Sequence, residues 1–192
     1  MGNSFYGRQY PLYVPPSHLE DLKAKITITT QMITTETELL TRRLVIFGAT
    51  GDLCKRKLIP ALFELWKKEL LPQNFLIVGA SRREIDRQTW LHSLGDYPHE
   101  FTAWLDFVSC DLACEESLNK LHDQSADTTY FLSVPPSTYA DAITNLKKAG
   151  FLDDPEKSRV VIEKPFGYDY KSAGALQSVV ERYLREKQVY RI

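Results

Sequence analysis

The feature that most constrains the fold is an alternation of short β-rich runs with helical stretches, beginning at Arg43. Six runs rich in aliphatic and aromatic residues follow one another in the order RLVIF, FLIVG, WLDFVS, TYFLSV, RVVIE and QVYRI. The segments between them carry apolar residues at helical spacing. A strand followed by a helix, repeated along the chain, predicts a mainly parallel, doubly wound α/β sheet with helices on both faces.

The chain divides into an extension and one domain. Residues 1–41 are rich in Thr, Pro and Tyr and contain little aliphatic bulk to bury, so we expect an N-terminal extension, which could be ordered or disordered. Residues 42–192 hold the strand and helix pattern. A chain of 192 residues is long enough for one ordinary domain with its own core and some additional tail.

Charge and cysteine content disfavour several classes of function. The 24 Lys and Arg residues and the 25 Asp and Glu residues are mixed along the chain, which predicts no nucleic-acid or membrane partner. No apolar run approaches the roughly 20 residues that span a bilayer, and LVIFGATG lies too deep in the chain for an export signal. The three cysteines are too few for a disulfide framework, and Cys110-x3-Cys114 lacks the second ligand pair of a zinc site. We expect a cytoplasmic protein that binds a small molecule and no metal.

The spacing of apolar side chains predicts the helices. After the first strand they recur at Leu58, Leu62, Leu65, Trp66 and Leu70. Pro60 belongs in the first turn of this helix, with residues 52–57 as an irregular or short helical lead-in. Further helices are predicted near residues 84–94, 115–122, 137–148 and 171–186. Gly150 is placed to end the third of these.

A glycine-containing loop follows the first strand and opens onto a helix. Its residues are Gly48, Ala49, Thr50, Gly51, Asp52 and Leu53. In a Rossmann-like fold such a loop lets backbone N–H groups and the positive helix end approach a dinucleotide pyrophosphate. The match to G-x-G-x-x-G is incomplete, because Thr50 and Leu53 occupy its later glycine positions. The alternative is a tight turn without a ligand; a P-loop fits poorly, since no Gly-Lys-Ser/Thr triplet follows.

Two arginines follow the second strand, where this fold places the adenosine ribose. An acidic residue there would accept from the ribose hydroxyls of NAD. Arg82 and Arg83 would instead pair with the 2′-phosphate of NADP, because the planar guanidinium suits a phosphate. NADP is therefore favoured. Two alternatives stay open. The arginines could be solvated loop charges, and the acidic Glu84 means that NAD is not excluded as the cofactor.

Taken together, the motifs resemble the glucose-6-phosphate dehydrogenase family. The segments GATGDLCKRKLIPALFELW, LIVGASRRE, YFLSVPP and VVIEKPFGYD occur in the family's order and spacing, over about residues 43–192. The family carries a G-A-[ST]-G-D-L-A-like loop after its first strand and an E-K-P-F-G motif after its fifth. Cys54 stands where the family usually has alanine, and we assign its thiol no catalytic role.

The resemblance implies roles for individual residues. The loop from Gly48 to Leu53 would hold the cofactor, with Arg82 rather than Arg83 at the 2′-phosphate. In the family the lysine that matches Lys164 contacts both the sugar substrate and the cofactor. Lys164 follows the fifth strand, at the edge where open α/β sheets bind ligands, although an ordinary exposed lysine is the alternative. Residues 133–136 would line the nicotinamide side of the cleft or serve only as a rigid strand exit.

The implied reaction oxidises glucose 6-phosphate with NADP to 6-phosphogluconolactone and NADPH, in the pentose phosphate pathway. Removing hydride from C1 requires a base for the hydroxyl proton. His18, His92, His99 and His122 are all interpreted as surface histidines, with the last three in the connections between strands. We therefore expect no catalytic residue in this chain.

The resemblance also implies further parts of the enzyme. In the family, the strand that matches residues 188–192 continues into an Asp-His-Tyr-Leu-Gly-Lys motif. A second, larger α+β domain then supplies the catalytic histidine and most of the homo-oligomer interface. We expect an incomplete glucose 6-phosphate site here and no activity of the chain alone. The alternative is a non-catalytic nucleotide-binding module; the E-K-P-F-G motif argues against a nucleotide-sugar epimerase.

Overall fold

The structure is a computed structural model that describes residues 42–121, 126–167 and 169–192. The predicted extension, residues 1–41, lies outside the described residues. His18 and His122 also lie outside them.

Six parallel strands form one sheet. They are β1 (Arg42–Phe47), β2 (Phe75–Ser81), β3 (Leu105–Ser109), β4 (Asp127–Leu132), β5 (Ser158–Ile162) and β6 (Val189–Arg191). Their order across the sheet is β3-β2-β1-β4-β5-β6, and every neighbouring pair is parallel. Each strand coincides with one of the predicted runs, so the predicted doubly wound α/β class is confirmed.

Helices connect the strands. They are α1 (Ile59–Lys67), α2 (Arg87–Leu94), α3 (His99–Thr102), α4 (Glu115–Leu118), α5 (Tyr139–Lys148) and α6 (Tyr170–Tyr183). Short 3-10 turns follow α4, precede α5 and follow α6, at Asn119–Leu121, Pro136–Thr138 and Glu186–Gln188. The single turn of α3 was not predicted from the sequence. None of the helices formed by the described residues is long and apolar enough to cross a membrane.

Capping residues determine where the longer helices begin and end. The Asp86 carboxylate accepts from the Thr89 N–H at 2.7 Å, so α2 begins after Asp86 and not at residue 84. Asp169 and Ser172 form a capping box at the start of α6. Gly150 follows α5 with φ of 81° and donates its N–H to the Lys147 carbonyl, as predicted for the end of that helix.

The start of the first helix is irregular, as the position of Pro60 predicts. A wide π-type turn, Cys54–Leu58, leads into α1, and Pro60 lies in the first turn of α1. Pro60 has no N–H to donate to the Arg56 carbonyl, and the wide turn lies immediately before it. Leu70 was wrongly included in the apolar face of this helix. The helix ends at Lys67, Glu69 turns the chain at φ of 56°, and Leu70 is 54% exposed.

Each face of the sheet is covered by its own hydrophobic core. Side chains alternate along β1, so Leu44 and Ile46 pack on one face while Val45 and Phe47 pack on the other. Helices α1, α2 and α3 cover the first face, and α4, α5 and α6 cover the second. Since the helices change face between β1 and β4, the carboxyl ends of these two strands border an open crevice.

Candidate functional site

The glycine loop, residues 48–53, lies at the carboxyl end of β1 where the strand order changes direction. β1 pairs with β2 on one side and with β4 on the other. In open α/β sheets ligands bind outside the carboxyl ends of the strands at such a point. The loop therefore occupies the position that the sequence motif requires for a dinucleotide site.

Gly48 makes the close approach that only glycine permits. Its φ is 81°, in the left-handed region, and an added Cβ would lie 2.0 Å from the Ser133 carbonyl oxygen. The Ser133 N–H in turn donates to the Phe47 carbonyl at 3.1 Å, so the exits of β1 and β4 are joined. Backbone packing therefore requires glycine at position 48, in addition to any requirement that a bound ligand imposes.

The backbone N–H groups of the glycine loop fall into two groups. The N–H groups of Gly48 and Ala49 both donate to the Ala80 carbonyl, at 2.9 and 3.1 Å, and the Gly51 N–H donates to the Gly48 carbonyl at 2.9 Å. The N–H groups of Thr50, Asp52 and Leu53 make no backbone hydrogen bond with any residue that the structure describes. These donors lie at the helix entrance, where the dipole also favours an anion, so the loop fits a pyrophosphate.

Trp90 on α2 is hydrogen-bonded to the glycine loop. Its indole N–H donates to the Ala49 carbonyl at 3.0 Å, across 41 positions of sequence, and its side chain is 0% exposed. The ring also covers Gly79 of β2, where an added Cβ would lie 2.5 Å from Trp90 Cζ2. No local sequence pattern indicates this contact, and it was missed from the sequence.

Two exposed arginines follow β2 beside the loop. Neither Arg82 nor Arg83 forms a side-chain hydrogen bond or ion pair with the described residues. Ser81, the last residue of β2, connects this turn to the glycine loop: its Oγ lies 3.0 Å from Thr50 Oγ1 and accepts from the Arg83 N–H at 3.2 Å. Ser81 was also missed, although a hydroxyl next to the arginines was the available signal.

Lys164 lies at the same edge of the sheet, after β5. Its side chain is exposed, its backbone N–H donates to the Ile192 carbonyl at 3.0 Å, and the Lys164–Pro165 bond is cis. The turn is held from two sides: Arg191 stacks over the Phe166 ring at 4.5 Å, and the Tyr139 hydroxyl donates to the Glu163 carbonyl at 3.4 Å. Lys164 and the glycine loop are thus brought to one edge, as predicted.

The described histidines lie away from this edge. His92 is on α2 and His99 begins α3, both in the connection between β2 and β3, and both are exposed. This confirms the prediction that these two are surface histidines. Among residues 42–121, 126–167 and 169–192, no group of three His, Cys, Asp or Glu side chains is arranged to hold a metal.

Cys54 lies within the wide turn after the loop, but its thiol faces the core. The residue is 0% exposed, and burial raises the pKa of its thiol to about 12, with the nearby Lys55 charge opposing the shift. Burial likewise raises the pKa of the Cys110 thiol to about 11. Because thiolates are the reactive form, neither buried cysteine is suited to nucleophilic chemistry.

Comparison with protein families and relatives gives a consistent result. The model of the glucose-6-phosphate dehydrogenase NAD binding domain matches residues 45–192. The glucose-6-phosphate 1-dehydrogenase of Aggregatibacter actinomycetemcomitans is 36% identical over 171 residues, which cover 78% of this chain and 35% of that protein. The Leuconostoc mesenteroides enzyme of the same name is 32% identical, over 76% of this chain and 34% of its own length. The chain thus spans about a third of the length of these relatives.

Solved structures agree in fold. Glucose-6-phosphate 1-dehydrogenase from Mycobacterium avium superposes with a TM-score of 0.70 at 30% identity, covering 80% of this chain and 36% of that one. A glucose-6-phosphate dehydrogenase in complex with its substrate glucose 6-phosphate gives a TM-score of 0.70 at 26% identity, with the same coverage.

Proposed function

Because the chain belongs to the glucose-6-phosphate dehydrogenase family and carries that family's NAD-binding domain, we propose that residues 42–192 bind NADP for the oxidation of glucose 6-phosphate. One observation carries the proposal: at the carboxyl ends of β1 and β2 lie backbone donors of the glycine loop and two arginine side chains, neither of which has a partner among the described residues.

The loop is proposed to hold the pyrophosphate. Gly48 and Gly51 allow the backbone to turn, and Ala49 anchors the loop through its bonds to Ala80 and Trp90. The free N–H groups of Thr50, Asp52 and Leu53 then donate to phosphate oxygens. This division of roles means that Gly48 and Ala49 contribute space and position, since their own N–H groups are already bonded.

The arginine turn is proposed to select NADP over NAD. A 2′-phosphate beside the end of β2 would meet Arg82 and Arg83, whose guanidinium groups have no competing carboxylate partner among the described residues. We assign the direct contact to Arg82. Glu84, also exposed, is further from the strand end than both arginines, one residue beyond Arg83 and two beyond Arg82.

Arg82→Ala is expected to weaken NADP binding and leave NAD binding nearly unchanged. Loss of one charge-assisted hydrogen bond costs about 1–3 kcal/mol, or roughly 5- to 150-fold in Kd. Isothermal titration with each dinucleotide measures the effect. Arg83→Ala should cost less, and Arg182→Ala, which removes an exposed arginine from α6, is the matched control. Equal Kd values for wild type and Arg82→Ala would remove Arg82 from the site.

Lys164 is proposed to donate to the sugar and to help align C1 with the nicotinamide, which accepts a hydride when the cofactor is bound. The residues that directly follow β5, held by the Arg191 and Tyr139 contacts, present this lysine at the ligand edge. No described histidine lies at that edge to take the C1 hydroxyl proton. The complete oxidation of glucose 6-phosphate and the assembly of subunits are therefore proposed for the full-length enzyme of the family.

The chain is expected to bind NADP without producing NADPH. Purified chain mixed with NADP and glucose 6-phosphate should show no rise in the absorbance band of reduced nicotinamide, because no described histidine lies at the carboxyl edge to take the C1 hydroxyl proton. A full-length relative under the same conditions is the positive control. A rise that scales with chain concentration and disappears in Lys164→Ala would contradict this expectation and show catalysis by the chain itself.

A further inference from the structure

The hydroxyl of Ser81 joins the two parts of the proposed phosphate site. Ser81 is the last residue of β2 and is 8% exposed. Its Oγ lies 3.0 Å from Thr50 Oγ1 in the glycine loop and accepts from the Arg83 N–H at 3.2 Å in the arginine turn. No other described side chain is bonded to both of these segments. One hydroxyl therefore sets how the loop and the turn face each other.

The backbone around Ser81 is held on both sides. Its carbonyl accepts from the Cys110 N–H at 2.9 Å, and it stands in register with Ser109 of β3. Beyond it, the Ile85 N–H donates to the Arg83 carbonyl at 3.0 Å, which tightens the turn. These bonds fix the main chain that carries the Ser81 hydroxyl.

The residue type at this position matters chemically. The end of the second strand is where an acidic side chain would accept from the ribose hydroxyls of NAD and repel a 2′-phosphate. Ser81 is neutral, and its hydroxyl bonds to another hydroxyl and an amide instead. We propose that Ser81 is a positioning residue for NADP selectivity, which orients the Thr50 hydroxyl and the Arg82–Arg83 turn toward the 2′-phosphate. This inference rests on the proposed NADP-binding function.

Two anchors of the glycine loop do not involve Ser81. Gly48 and Ala49 are anchored on the Ala80 carbonyl, and the Ala49 carbonyl accepts from Trp90. Removing the Ser81 hydroxyl leaves these bonds in place. The loss should therefore fall on the 2′-phosphate, which NADP carries and NAD lacks, and the affinity for NAD should be nearly unchanged.

Calorimetric titration of Ser81→Ala with NADP, NAD, 2′,5′-ADP and 5′-AMP tests the proposal. Loss of one neutral hydrogen bond predicts roughly three- to tenfold weaker binding of NADP and of 2′,5′-ADP, with less than about twofold change for NAD and 5′-AMP. Ser81→Thr keeps the hydroxyl and should restore most of the preference. Ser109→Ala is the matched control, because Ser109 ends the neighbouring strand and its side chain has no hydrogen bond within the described part of the chain.

Each result of the titration either supports or overturns the inference about Ser81. If Ser81→Ala weakens the binding of NADP and of NAD equally, Ser81 is a merely structural residue; if the affinity for NADP is unchanged, Ser81 is not part of the site. Either result overturns the inference about Ser81. Neither affects the proposed function, which depends on NADP binding by the wild type and on the Arg82→Ala result. If wild type binds neither dinucleotide, or prefers NAD, the proposed function fails and the inference with it. Hydrogen exchange adds a test without ligand: the Arg83 N–H should exchange faster in Ser81→Ala, and an unchanged rate also overturns the inference.

Discussion

Replacing Gly48 by alanine is expected to abolish NADP binding and to lower the free energy of unfolding by about 2–5 kcal/mol, from backbone strain at positive φ together with overpacking. The added Cβ would lie 2.0 Å from the Ser133 carbonyl oxygen and 2.9 Å from its carbonyl carbon. Both atoms are main-chain atoms at the exit of the central strand β4. They cannot retreat without breaking the bond from the Ser133 N–H to the Phe47 carbonyl. The loop must then move, and its free donors move with it.

Substitutions at two other glycines distinguish the two causes of this effect, backbone strain at positive φ and overpacking. Gly95→Ala introduces a side chain at φ of 106° with no atom within 4 Å of the new Cβ, so it measures strain without a clash. Gly174→Ala lies in α6 with open space around the Cβ and should be neutral or stabilising by up to about 1 kcal/mol. Urea unfolding followed by circular dichroism, with NADP titration, measures all three. Wild-type stability and affinity in Gly48→Ala would show that the two strand exits are not packed as described.

Trp90→Ala is expected to cost about 3–5 kcal/mol of unfolding free energy, the range for truncating a buried aromatic residue. The side chain is 0% exposed, packs against Phe107 in a tilted arrangement with ring centroids 5.3 Å apart, and fills the space over Gly79. Its removal leaves a cavity between α2 and the sheet. It also leaves the Ala49 carbonyl, inside the glycine loop, without its indole donor. Stability and NADP affinity should both fall.

Trp90→Phe tests the hydrogen bond more narrowly. Phenylalanine keeps much of the apolar contact but cannot donate to the Ala49 carbonyl, and an unsatisfied buried acceptor costs about 1–3 kcal/mol. Trp104→Phe is the matched control, because Trp104 is partly exposed and its indole makes no hydrogen bond with the described residues. Denaturant titration and NADP binding are measured for both variants. If the two substitutions have equal effects, the bond to the loop contributes nothing.

The strand pattern, the glycine loop and the end of α5 at Gly150 were readable from local sequence, whereas the caps at Asp86 and Asp169 were not predicted. Strand runs are recognised by their aliphatic and β-branched content, and a loop between a strand and a helix needs few residues to define it. Errors arose where a local pattern continued past its structural end. Leu70 has the helical spacing, but Glu69 turns the chain first. The single turn of α3 is too short to show a periodic pattern.

By itself the sequence determined the doubly wound fold, the family, and the placement of Gly48–Leu53, Arg82 and Lys164 after particular strands, because these depend on residue type and short spacing. Only the tertiary structure decided which loop donors lack a backbone partner among the described residues, that a side chain at position 48 would overlap Ser133, and that Trp90 and Ser81 contact the glycine loop. Those contacts join strands and helices separated by tens of residues. Their geometry comes from strand order and register, and neither is encoded in any local pattern.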